Sequence, residues 1–389
     1  MRRDTRITIA KALGIIFVVV AHTDGHSLLS SFIFEFHMPL FFICAGYFFS
    51  LKYLTQEGKF IGRRLKGLYV PFVKWSVLFL VIHNLMFQIG ILNEQYGNSA
   101  GGVTHPYTWQ VAQQRLWNII FSMGGYDEFL AGAFWFFRGL LVASLLYLLL
   151  YKVGIVVADA VSRHNVKEME HHGRLLQRTR MSLFIGTGVS ILLFAMCLWM
   201  CASGLKITTL VQGGYRDLMG CFFFGIGFLL RPVLNKIPRN IFLDAVLLAV
   251  VLAFAIVNPA GMSVKATVGK CLALPVPALC GFLLTYQVSC MLDGLNDRNI
   301  IRRFLIFCGD NTLIVFILHI SAYKLASILK IMYYDLPWGE IGCHMTIHEH
   351  ANDLFWIPYT IAGVGVPLFL QYAYNRMKAS IAARRLARQ

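Results

Sequence analysis

Charge is scarce in this chain. Only 14% of its 389 residues are Asp, Glu, Lys or Arg, where a soluble domain carries about a quarter. Together with a 57% hydrophobic content, that shortage excludes a soluble globular domain and a disordered polyelectrolyte. Acidic residues are scarcer still, 19 against 35 Lys and Arg, for a net charge of +16. Such an excess invites a nucleic-acid reading, but the placement of the charges excludes it. Most of the basic residues fall in six places: the N-terminus to Lys11, Lys52 to Lys66, Lys152 to Arg180, Arg231 to Arg239, Arg298 to Arg303, and Arg376 to Arg388. Weakly charged connections alternate with them, the positive-inside pattern of a multi-spanning membrane protein.

Several chemical signatures are missing as well. The sequence has no Gly-x-Ser-x-Gly elbow, no phosphate-binding glycine loop and no dinucleotide fingerprint. His344, His348 and Glu349 have a metal-like spacing, yet the order His-Glu-x-x-His is absent. We expect that loop to be mostly solvated surface and expect no metal. Of nine cysteines, all but Cys343 lie in apolar segments, where a free thiol behaves as a small apolar group. No disulfide framework is expected. Internal repeats and low-complexity segments are lacking too.

What is present is long apolar runs. About ten of them approach the ~20 residues needed to cross a bilayer: 8–25, 31–50, 68–92, 131–151, 181–203, 214–231, 240–258, 267–290, 305–329 and 354–375. The first could pass for a signal peptide, but Lys11 interrupts its start and no small-residue cleavage site follows. The expected fold is an all-α polytopic membrane protein, residues 1–389 forming one membrane domain. Both termini and all six basic clusters then lie on the cytoplasmic side. The long outer connection, 93–130, is polar and rich in Gly, Tyr and Trp. The long inner one runs from Asp159 to Arg180.

Within these runs sit a few ionisable residues. Such groups are costly in a bilayer and are usually paired, inward-facing and functional. A helix rises ~1.5 Å per residue. Counted from Arg6, Lys52, Lys66, Lys152, Arg231 and Arg303 as inner anchors, His22, His37, His83, Arg138, Asp217 and His319 each lie about 21 to 25 Å up their helices, a shared level toward the outer leaflet. One polar cavity open to the outside would place them so. Simple capping of each helix at the interface would do the same for any one of them. Lys11 and His22 are eleven residues apart, about three turns, and share a helix face. That geometry suits a long ligand with an anionic head at the cytoplasm and a reactive tip deep in the membrane; snorkelling of Lys11 to the headgroups is the simpler alternative.

The motifs, in order along the chain, resemble the membrane-bound acyltransferase 3 family. Thr8-Ile-Ala-Lys11-Ala-Leu-Gly14 through Val-Val-Val-Ala-His22 is similar to its first helix. Phe36-His37-Met38-Pro39-Leu40-Phe41-Phe42 is similar to its second, especially in the fucose 4-O-acetylase-like branch. Arg63-Arg64-Leu65-Lys66-Gly67-Leu68-Tyr69-Val70-Pro71 resembles a basic inner loop, Trp135-Phe136-Phe137-Arg138 an internal element, and Gly309-Asp310-Asn311-Thr312-Leu313 through His319 a late helix. Thr8 stands where the family usually has Asp, and Ala12 where it often has Gly. Arg63 and Lys66 occupy a spacing that often carries two arginines.

The resemblance implies transfer of an acyl group, usually acetyl, from cytoplasmic acyl-coenzyme A to a hydroxyl of an envelope glycan or its lipid-linked precursor, at a bacterial inner membrane. His22 would be the general base or a transient acyl carrier, since imidazole titrates near neutrality. His37 or His319 would orient it or hold the carbohydrate acceptor. Arg138 would polarise the thioester carbonyl, and Lys11, Arg63, Arg64 and Lys66 would hold the phosphates of acetyl-CoA. Asp24 and His26 could orient His22 or bind sugar, or could simply be polar loop residues. Tyr107, Trp109 and Trp117 could stack on sugar rings or anchor the interface. A multi-pass transporter or flippase is the competing class, opposed by the absence of any repeat between the two halves.

Overall fold

A backbone that crosses hydrocarbon must satisfy its own amides and carbonyls, which leaves helices as the solution for a chain of long apolar runs. The computed structural model describes residues 4–23, 25–97, 104–162, 171–207, 214–262 and 266–386, and among them there are helices and no strand. In chain order the helices are α1 (Thr5–Ala21), α2 (Ser27–Phe34), α3 (His37–Tyr47), α4 (Glu57–Arg64), α5 (Val70–Gln88), α6 (Trp109–Ser122), α7 (Glu128–Ala131), α8 (Trp135–Ser162), α9 (His171–Ser203), α10 (Tyr215–Leu230), α11 (Ile241–Val257), α12 (Val268–Ala273), α13 (Pro275–Asp293), α14 (Ile300–Asp310), α15 (Thr312–Tyr334) and α16 (Trp356–Leu386). Among the described residues six helical segments are long and apolar enough to cross a membrane: Ser27–Tyr47, Glu57–Gln88, Glu128–Ala160, Arg180–Ser203, Val268–Asp293 and Thr312–Tyr334. The protein is an all-α polytopic membrane protein.

Local chemistry marks many of the boundaries. Asp4 accepts from the Arg6 amide to start α1. Thr108, Asp127, Asn240, Thr267 and Asn299 cap α6, α7, α11, α12 and α14 in the same way, each occupying a free amide of the first turn. Three expected single helices are broken, one of them the eighth run, at Leu274 between α12 and α13. The second run is interrupted at Glu35 and Phe36, between α2 and α3, and the ninth at Asn311, between α14 and α15. The Asn311 amide side chain turns back onto the Phe307 carbonyl (2.8 Å), offering the backbone a local alternative to the helical ladder. The outer connection is not a plain loop: it contains α6 and α7. The inner connection is shorter than expected, because α8 runs on to Ser162 and α9 begins at His171; Arg163, His164 and Lys167 lie outside the described residues.

The chain packs as two compact units. The first draws on Met1–Ile33, Val73–Phe134 and Thr285–Gln389. In it α1 lies against α14, α15 and α16, and α15 pairs extensively with α16. Thr5 and Arg302 both bind Asp293 (2.9 and 3.1 Å), which ties the starts of α1 and α14 to the end of α13. The second unit draws on Phe34–Phe72 and Trp135–Leu284 and centres on α10, packed against α3, α8 and α9. Phe49 gathers an aromatic cluster there with Tyr147, Tyr151, Phe224 and Phe228.

Each unit depends on close backbone approaches, one of which in the second unit sets Gly46 against the Phe224 carbonyl. A methyl added at Gly309 would fall on the Thr8 carbonyl, and one at Gly227 on the Ile43 carbonyl. Backbone cannot yield as a side-chain tip can. We expect Gly309→Ala and Gly227→Ala each to destabilise the detergent-purified protein by about 3 kcal/mol. Gly188→Ala, which meets open space, should leave the thermal melting temperature unchanged.

Candidate active site

His22 closes α1 as its C-cap. Its backbone sits at φ −97°, ψ 4°, the sparsely populated bridge region that active-site residues often adopt. Across from it, α15 carries His319, which is fully buried. The two rings stack with centroids 5.3 Å apart and 27° between planes. His319 Nε2 lies 3.3 Å from His22 Nδ1, while His319 Nδ1 faces the carbonyls of Phe316 (2.8 Å) and Val315 (3.2 Å).

This pattern assigns the tautomers. A carbonyl only accepts, so His319 carries its proton on Nδ1 and presents a lone pair at Nε2. His22 must then donate from Nδ1. That leaves the His22 Nε2 lone pair as the basic atom of the pair, which is what a general base needs. The arrangement is held from below by Tyr323, one turn beyond His319, whose hydroxyl donates to the Val19 carbonyl (2.6 Å).

The loop after α15 forms the next layer; His348, Glu349 and His350 are exposed as expected, while residues 340–343, Thr346 and Ile347 are buried. Ile331, Ile341, Cys343 and Ile347 make a small buried cluster. Two buried lysines of α15 pin the loop. Lys324 donates to the Ile341 and Cys343 carbonyls (2.8 and 2.6 Å) and lies 4.6 Å from the centroid of the Phe129 ring. Lys330 donates to the Ile347 and His350 carbonyls and pairs with Asp353 at 3.3 Å. A cation buried near a membrane is retained when carbonyls and a carboxylate take up its donors.

His344 stands on this loop beside the turn at Gly132 and the side chain of Ile320. Burial first, then Lys324 and His348, hold its ring below the ordinary histidine range, with Asp127 partly opposing them. The ring is therefore neutral at pH 7.

The other expected site residues divide between the units. In the first, His83 is buried and bonds Asp127 through Nδ1 and the His105 carbonyl through Nε2 (2.9 Å), with Tyr107 stacked on its face. Asp127 also takes the amides of Phe129 and Leu130. This knot fastens the outer segment to α5. Lys11 is half-buried on α1. In the second unit, Arg138 and Asp217 form a buried ion pair at 3.1 Å, and Arg216 stacks on Trp135. His37, also buried, meets the Phe34 ring edge-on. Arg63 reaches the Tyr53 hydroxyl at 3.4 Å, Arg64 lies over the Phe60 ring, and Lys66 is exposed in a π-helical turn, Leu65–Tyr69. His26 is exposed, and Asp24 lies outside the described residues.

Several polar residues escaped the sequence analysis. Lys324 and Lys330 were passed over, although a cation inside an apolar run is itself a signal. Glu35 was too: it is fully buried at the α2–α3 break, and neither carboxyl oxygen has a hydrogen-bond partner. An apolar groove of about 410 Å³ on α8 and α9, lined by residues such as Val157, Phe184 and Leu192, holds no group that could carry chemistry. Among the described residues no cluster of three or more His, Cys, Asp or Glu is placed to hold a metal ion.

The loop that carries His344 should respond to pH. Glu340 is buried at its start, and burial, followed by the neighbouring Glu349, pushes its carboxyl up to about 7, with Lys330 pulling the other way. Folding favours the protonated form, so its stabilising contribution is complete below the unfolded value near 4.5 and is lost as pH rises through about 7. We expect protease resistance of the 338–353 loop to fall between pH 5 and pH 8, and Glu340→Gln to flatten that dependence.

A family model described as an acyltransferase domain matches residues 4–373. No curated protein and no solved structure matches the chain.

Proposed function

The chain belongs to the acyltransferase 3 family, and from that premise we propose that it is an acyl-coenzyme A-dependent O-acyltransferase of a bacterial inner membrane. In this reading it moves an acetyl group to a hydroxyl of an envelope glycan or its lipid-linked precursor. The observation that carries the reading is the His22–His319 pair, because its hydrogen bonds leave one basic nitrogen uncommitted.

The reaction needs a proton taken from a sugar hydroxyl and given to a leaving thiolate. His22 Nε2 removes the proton as the hydroxyl oxygen attacks the thioester carbon. The C–O bond forms, the C–S bond breaks, and the same proton passes from His22 to the sulfur of coenzyme A. His319 acts on His22: its Nε2 lone pair holds the Nδ1 proton in place, which fixes the tautomer and favours the imidazolium that forms in passing. The Phe316 carbonyl in turn fixes His319. This is the orienting-partner logic of catalytic triads with an imidazole in place of a carboxylate.

The donor is a substrate with several anionic phosphates, and the basic inner residues suit it. Lys11 lies about 16 Å below His22 on α1, which matches a ligand whose charged end stays at the cytoplasmic surface. Exposed Arg63 and Lys66, with the half-buried Arg64, present guanidinium and ammonium groups for phosphate. His37 and Arg138 remain in the reading as residues whose loss lowers transfer.

Release of coenzyme A from acetyl-coenzyme A, measured on detergent-purified protein with envelope glycans added, tests this directly. His22→Ala should abolish glycan-dependent release. His319→Ala should lower it by about a hundredfold with the melting temperature kept within a few degrees. Lys11→Ala should raise the donor KM several-fold without changing kcat. Full release by His22→Ala would overturn the assignment, and a chain that neither binds nor cleaves the donor would be a transporter instead.

A further inference from the structure

The general base needs something to hold the hydroxyl it deprotonates, and the one uncommitted nitrogen of the His22–His319 pair, His22 Nε2, is taken up with the proton. Most polar side chains around the pair are already committed. Tyr323 is spent on the Val19 carbonyl, and Lys324 on the Ile341 and Cys343 carbonyls. His83 and Asp127 are spent on each other and on nearby backbone. His344 is different. Its Nδ1 is buried and has no hydrogen-bond partner. A buried polar atom without a partner costs about 1 to 3 kcal/mol, and such a group persists where it serves a ligand.

Its placement is built. Lys324 grips the carbonyl of Cys343, the residue just before it, and the Thr346 amide closes on its own carbonyl (2.8 Å). The next residue, Met345, takes a left-handed φ of 60°, so the chain turns sharply there. Phe129 meets the ring edge-on at 5.7 Å. The Gly132 position borders both His344 Cε1 and the side chain of Ile320, next in sequence to His319. His344 also lies within electrostatic range of His22. The loop after α15 thus brings a third imidazole into the neighbourhood of His22.

Building on the acyltransferase reading above, we propose that His344 is the acceptor-binding residue of this site, donating a hydrogen bond from Nδ1 to the hydroxyl oxygen whose proton His22 removes. The hydroxyl then makes two directed contacts: its proton points at His22 Nε2 and its oxygen receives the His344 N–H. The remaining lone pair faces the acyl carbon. No proton passes through His344, whose ring is neutral before and after transfer. The substrate class this implies is a neutral polyol, a sugar hydroxyl rather than an amine, because an ammonium has no lone pair with which to accept the N–H.

The test uses the full chain in detergent, with acetyl-coenzyme A as donor, and glycerol and water as the two hydroxyl probes. An asparagine amide nitrogen falls near the place of an imidazole Nδ1, and a glutamine one near Nε2. We expect His344→Gln and His344→Ala to lower kcat/KM for glycerol about tenfold with the donor KM unchanged, and His344→Asn to stay within about threefold of wild type. Melting temperatures of all three should match. Wild-type glycerol kinetics in His344→Ala would overturn the inference and leave the acyltransferase reading standing. Equal impairment in the Asn and Gln variants would make the residue structural and overturn it as well. Loss of neither hydrolysis nor glycerol transfer in His22→Ala, or no thioester cleavage by wild type, would overturn the reading and the inference together.

Discussion

The first unit is organised around one contact, the His22 ring against the His319 ring. Two neutral imidazoles share a site in a low-dielectric interior when their tautomers are complementary. The carbonyls of Phe316 and Val315 impose that order on His319, and His319 imposes it on His22. Everything that brings α1 to α15 serves this contact. Gly309 lets α14 come up to the α1 backbone at Thr8, and Tyr323 bonds the last turn of α1. The bridge-region backbone at His22 ends the helix at the residue that meets His319.

The intramembrane polar groups share a common solution. None of the expected layer stands alone: His22 has His319, His83 has Asp127, and Arg138 has Asp217, while His37 packs against Phe34. Pairing offsets part of the cost of burial. The two lysines of α15 obey the same rule with backbone carbonyls as partners. Their effect reaches further than their charge, since they hold a loop of polar sequence in place over its own apolar cluster.

Much of this was legible in the sequence. Ten apolar runs and six basic clusters announced a multi-spanning helical protein, and the helices lie where the runs do. His22, His319 and the residues around Arg138 were visible because a titratable side chain is conspicuous among apolar neighbours. The breaks at Glu35 and Asn311 were not visible, since an apolar run of adequate length reads as one helix whatever a single polar residue does to its backbone. The loop from 335 to 355 misled for a related reason. Its polar composition signals exposure, whereas its burial depends on Lys324 and Lys330, which sit on another element and act through carbonyls that composition does not distinguish.

The sequence by itself determined the class of solvent, the helical architecture and the family, because hydropathy and charge placement are summed over many residues and survive local exceptions. Only the tertiary structure decided the partners. Which nitrogen of His22 is basic depends on His319, 297 positions away. That Arg138 answers Asp217 depends on helices joined by 79 positions of chain. That the backbone before His344 is held in place depends on a lysine of another element gripping the Cys343 carbonyl. Spacing along a helix sets which residues share a face and at what depth; hydrogen bonds between helices depend on how those faces meet, and that is a property of the packed molecule.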